Sequence, residues 1–175
     1  MKLSHAALLT GLATTLLFGA ASDVSAQLQL GVQGSLVDVR GVAAGLGGRL
    51  GYFQPPRAGG TQIGIEGMYS IFFPDCIGLE CDSSGGHIAL LAGQSVGFGG
   101  GAQTYAGLGA RYQNVTLDNG LESADGDFWG FMILVGSRVS TDSPVSPFFE
   151  LAWSFMSGIP DIWDFTLGAR FALGR

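Results

Sequence analysis

The sequence predicts an all-β fold, an eight-stranded antiparallel up-and-down transmembrane β-barrel preceded by a cleaved export segment. Three observations carry the prediction. Segments of about ten residues alternate apolar and polar side chains with a period of two, the mark of a strand whose faces meet different media. The composition, 47% hydrophobic and 13% charged over 175 residues, leaves too little charge to cover a soluble surface. Beyond Ala26, no apolar run reaches the eighteen or so residues that a membrane helix requires. A chain that crosses a bilayer without helices must close its backbone hydrogen bonds into a barrel.

The elements follow in chain order. Lys2, the apolar stretch from Ala6 to Ala21 and the small residues Val24, Ser25 and Ala26 form the three-part pattern of a signal peptide. Residues 1–26 are therefore expected to be removed, leaving 27–175 as one barrel domain. An N-terminal anchor is the competing reading, but Gly11, Gly19, Thr10, Thr14 and Thr15 dilute the run. Strands are expected near Leu28–Asp38, Val42–Phe53, Thr61–Phe72, His87–Phe98, Ala102–Thr116, Asp127–Val139, Ser146–Ser157 and Ile162–Leu173. The breaks "QPPRAGG", "FGGGA", "LDNGLESADGD", "STDSPVS" and "SGIPD" carry turn chemistry. Glycines recur inside nearly every segment; each would weaken a helix by about 1 kcal/mol, but they suit a narrow, strongly curved sheet.

Which face looks inward follows from counting large residues. In the last strand Phe165, Leu167, Ala169, Phe171 and Leu173 oppose Asp164, Thr166, Gly168 and Arg170. The second sets Leu46, Leu50 and Tyr52 against Gly45, Gly47, Arg49 and Gly51. The third sets Ile63, Ile65, Tyr69 and Ile71 against Gln62, Gly64, Glu66 and Ser70. The sixth sets Phe131, Ile133 and Val135 against Gly130, Met132, Gly136 and Arg138; the seventh sets Phe149, Leu151, Trp153 and Phe155 against Glu150, Ala152 and Ser154. Eight strands cannot hold so many large apolar side chains, so these face lipid, and small and charged residues fill the lumen. "GSLVDV" and "LLAGQSV" break the alternation, which predicts bulges in the first and fourth strands.

With both termini periplasmic, Tyr69, Phe72, Phe73, Tyr112, Trp129 and Trp163 collect at the outer rim, and Tyr52, Phe98, Phe149 and Phe171 at the inner rim. Two aromatic girdles bound the lipid-facing band of such barrels; a soluble barrel would use the same aromatics as core. The inward charges Arg49, Glu66, Arg111, Arg138, Glu150, Asp164 and Arg170 form the candidate lumenal network. Folding the hairpins about their turns sets Arg49 opposite Glu66 and Glu150 opposite Arg170, with Arg138 reaching the other side of Glu150. An unpaired lumenal charge is strongly unfavourable, so these pairs are expected to plug the barrel.

Across its length beyond Ala26 the chain resembles the small eight-stranded outer-membrane barrels of the OmpA, OmpX and opacity-protein type. The resemblance rests above all on Thr166-x-Gly168-x-x-Phe171-x-Leu173, which is similar to the last-strand signal read by barrel-insertion machinery. Where such barrels often end on an aromatic, Ala172 to Arg175 follow Phe171 here. The resemblance implies a bacterial outer-membrane location, contact with outer-membrane lipid or lipopolysaccharide, engagement of the assembly machinery and a monomer. A structural or surface-interaction role is expected; a narrow channel for small or apolar solutes, or a lipid A acyl hydrolase or transferase, are the other classes.

Little else in the chain carries chemistry, and no cofactor or metal is expected. Cys76 and Cys81 are expected to form a disulfide in an outer loop, worth about 2 kcal/mol for so short a loop. A zinc site would need His87 with Glu80 or Asp82, without recognised ligand spacing. His87 with Ser83 or Ser84 is the one hydrolytic set available, but Ala89 stands where a lipid A deacylase-like strand has its serine, so His87 reads as a loop histidine beside the disulfide. "QLQLGVQGSL" is not the amphipathic helix of a palmitoyl transferase. Asp118, Glu122, Asp125 and Asp127 do not match an EF-hand. The proposed outer loops add Asp75, Glu80, Asp82 and Asp161, an acidic rim that disfavours nucleic acid.

Overall fold

The computed structural model describes residues 27–38, 42–54, 61–74, 80–96, 101–118, 123–139 and 144–173. The strands are β1 (Gln27–Asp38), β2 (Val42–Phe53), β3 (Thr61–Phe73), β4 (Glu80–Val96), β5 (Ala102–Asp118), β6 (Ser123–Val139), β7 (Val145–Met156) and β8 (Ile162–Leu173). Each pairs antiparallel with the next, and β8 returns to β1, so the sheet is a closed barrel. The expected export segment 1–26, Cys76, Phe98, Asp75 and Glu122 lie outside the described residues.

The period-two pattern places the faces as the counting argument requires. Leu30, Leu46, Leu50, Ile63, Phe131 and Leu167 stand outside, in the band a bilayer would cover. Phe73 and Trp129, 62% and 59% exposed, stand with Trp163 on the end away from the chain termini; Tyr112 packs on Trp129 with ring centroids 4.9 Å apart. Phe72 departs from the expected rim. It points inward and closes that end of the lumen with Val37, Ala43 and Ile162. Phe72 and Phe73 are neighbours on one strand, so the pleat can give only one of them to lipid.

Three further corrections concern the strands. β4, β5 and β6 run 17 residues each, so "ECDSSGG" and "SADGD" are strand, not loop. Their small polar residues carry turn composition, but pairing with β5 from Glu80↔Asp118 and Ser123↔Asp118 overrides it. Cys81 thus lies on a strand, above the level of Trp129. No bulge occurs in β1 or β4, whose registers run unbroken; Val37 and Leu91 are simply apolar residues that face inward. The lumen is also less polar than expected. Phe53, Leu91, Tyr105, Met132 and Leu134 form a buried cluster within it.

Candidate functional site

The lumen is the candidate site, and all seven predicted charges point into it. Every arginine among the described residues (Arg49, Arg111, Arg138 and Arg170) is inside the barrel. The contents stack in layers from the end bearing the chain termini. At that mouth Arg138 donates to the side-chain carbonyls of Gln103 (2.5 Å), Gln29 (3.0 Å) and Gln62, while Gln103 also donates to Gln62 at 3.2 Å.

Above this ring lies a quartet from four strands. Arg49 of β2 grips Glu150 of β7 with two parallel hydrogen bonds of 2.8 and 2.7 Å, and reaches Glu66 of β3 at 2.8 Å. Arg170 of β8 bonds the same two carboxylates at 3.0 and 2.8 Å. Tyr105 donates its hydroxyl to Glu150 at 2.7 Å, and Gln33 accepts from Arg49 at 2.6 Å. Arg49 sits 4.0 Å over the Phe148 ring, and Arg170 is flanked by Phe148 and Tyr105 at 4.7 and 4.9 Å. Low-dielectric walls strengthen such charge-assisted bonds and raise the cost of leaving one unmade.

Backbone room for this packing comes from glycine. A Cβ on Gly31 would come within 2.6 Å of Arg49 Cγ, and one on Gly136 within 2.6 Å of Tyr105 Cζ and 2.8 Å of Glu150 Cγ.

Two of the expected partnerships, Arg49 with Glu66 and Arg170 with Glu150, form, but not by the expected register. Arg49 is paired across the sheet with Met68, and Glu150 with Thr166. The hairpin turns are offset by residues from the assumed fold points, and long side chains make up the difference diagonally across the lumen. Arg138 does not reach Glu150; Phe148 is its cross-strand partner, and the second arginine on Glu150 is Arg49. Towards the outer end Arg111 pairs with Asp164 and donates to Gln113 at 3.0 Å, which donates to Ser83 at 2.6 Å. Phe72 and its neighbours lie above.

His87 is not a loop residue. It is buried in the lumen on the row of Met68 and Arg111, and neither ring nitrogen has a protein partner. It does not assemble a hydrolytic set. Ser83 accepts from Gln113 and donates to the Asn114 carbonyl, while Ser84 faces outward and accepts from Tyr69 at 2.8 Å. Sequence reasoning missed Gln29, Gln33, Gln62, Gln103 and Gln113 as partners of the arginines; their signal was position, since each falls on the inward face of its strand. Of the last-strand pattern, Thr166 is buried inside and Phe171 and Leu173 face out. Cys81 is not a free thiol. On the projecting ends of β5 and β6, Tyr112 and Asn114 donate to the exposed Asp127.

No family model matches the chain, and no curated protein matches it. Solved structures do. The attachment invasion locus protein Ail of Yersinia pestis superposes with a TM-score of 0.63 at 13% identity, over 87% of this chain and 100% of Ail. The N-terminal β-barrel domain of Pseudomonas aeruginosa OprF gives 0.60 at 18% identity, over 85% of this chain and 100% of that one. The outer membrane enzyme PagL gives 0.52 at 9% identity, over 82% and 98%. At these identities the likeness is one of fold. Together with the apolar exterior, it gives the chain the fold of the small eight-stranded outer-membrane β-barrels.

Proposed function

We propose that the protein is a monomeric, non-enzymatic barrel with a structural or surface-interaction role, whose lumen is plugged by its own arginine–carboxylate network. The carrying observation is that Arg49, Glu66, Glu150 and Arg170, from opposite walls, meet in one hydrogen-bonded group. An eight-stranded barrel is only wide enough for side chains to fill, and here they do so at several levels. The non-enzymatic part rests on the separation of His87 inside from Ser84 outside, and on the hydrogen bonds that already engage Ser83. On the same reading, residues 1–26 are cleaved after Ala26, Cys76 and Cys81 are bonded to each other, and the last strand carries the assembly signal Thr166, Gly168, Phe171 and Leu173. Purified protein in planar bilayers is expected to give no steady single-channel current. Steady conductance would overturn the plug, and release of acyl chains from labelled lipid A would overturn the non-enzymatic role.

A further inference from the structure

The lipid-facing wall is not uniform. Near the end with the chain termini, one row of directly opposed residues crosses four strands through outward positions Thr61, Gln94, Thr104 and Ser137. All four are polar. Followed on round the barrel, the same row passes Phe149, Leu167, Gly34 and Leu46, none of them polar. The next outward row includes Ala92 paired with Ala106, and the row beyond has Leu90 paired with Leu108, 64% and 58% exposed. The small side chains of Ala92 and Ala106, beside the polar row and flanked by Val135, Phe149 and Leu151, leave an open recess of about 570 Å³ in the wall. Hydroxyl and amide groups facing hydrocarbon are unfavourable unless something polar meets them.

We propose that this recess binds one glycerophospholipid, with an acyl chain against Ala92 and Ala106 and the glycerol ester and phosphate oxygens on the donors of Gln94, Thr104 and Ser137. The level fits, because with the termini periplasmic the row stands where the inner leaflet changes from chains to headgroups. The chemistry fits as well. The row offers neutral donors and no fixed charge, so a zwitterionic headgroup is sufficient. A second copy of the chain fits poorly. A two-fold contact would set the recess against itself, and two concavities enclose a void instead of packing. The inference rests on the membrane placement and is independent of whether the lumen is closed.

The test is native mass spectrometry of the folded barrel released from micelles containing 1-palmitoyl-2-oleoyl phosphatidylethanolamine. One retained lipid per barrel is expected. Ala106→Phe fills the recess without touching the lumen and should reduce retention about tenfold, whereas Ala110→Phe, outward on the same strand beyond Leu108, should leave it unchanged. Thr104→Val should reduce it roughly threefold, as expected for one hydrogen bond. Heat-modifiable mobility reports folding of each variant; if Ala106→Phe does not fold, Thr104→Val with Ser137→Ala carries the test. A wild-type barrel that retains no lipid, or equal retention in the recess and control variants, overturns the proposal. So does a dimer mass that Ala106→Phe abolishes, which would assign the face to a second copy.

Discussion

The two halves of the lumen solve the problem of buried charge differently. In the half nearer the termini, two arginines share two carboxylates, and both oxygens of Glu150 are engaged. In the outer half Arg111 and Asp164 have one charged partner each. Buried polar atoms without a protein partner occur in both halves, Glu66 Oε2, Arg170 Nε and Arg170 Nη1 in the quartet and Arg111 Nε, Asp164 Oδ1, Ser154 Oγ and both His87 nitrogens beyond it, so they do not set the halves apart. Burial is the same, with Glu66 1% and Arg111 0% exposed, so burial does not separate them. What separates them is connectivity. A shared network makes each charge's loss felt by several others, whereas a lone pair loses one contact.

The largest expected effect is therefore at Glu150. Glu150→Gln keeps the volume but withdraws the counter-charge from both Arg49 and Arg170, and should destabilise by about 3–5 kcal/mol, read by reversible urea unfolding in detergent. Asp164→Asn strands only Arg111 and should cost measurably less. Equal costs would break the comparison. Gly136→Ala drives a methyl group against Tyr105 and Glu150, and should cost about 1–3 kcal/mol as overpacking; an unchanged unfolding midpoint would mean that the quartet is loosely held. The smallest effect is expected outside the lumen. Trp129→Ala removes the ring contact with Tyr112, worth about 0.5–1.5 kcal/mol, and should leave the other differences intact.

The barrel was legible because period-two alternation, scarce charge and the lack of a helical span point the same way. The inward charges were legible for the same reason, as Arg49, Glu66 and Arg170 each interrupt an otherwise small or polar face. Register was not. A two-residue shift keeps every side chain on its face, so alternation could not distinguish Arg49 opposite Glu66 from Arg49 opposite Met68. The apolar lumen was also hidden, because Phe53, Tyr105 and Phe148 fit inside only where Gly64, Gly136 and Gly168 on neighbouring strands, and Gly51 on the strand of Phe53 itself, vacate the space. His87 was misplaced because the glycines and serines before it have loop composition yet pair as strand.

The central claim, that the lumenal charges act as one coupled unit, is tested most directly by a double-mutant cycle on Glu150→Gln and Arg170→Met, with unfolding followed in detergent. Coupling predicts that the double variant is more stable than the sum of the single losses implies, by about 1 kcal/mol or more. Additive losses, within roughly 0.5 kcal/mol, would contradict it and describe a wet lumen of independently hydrated charges.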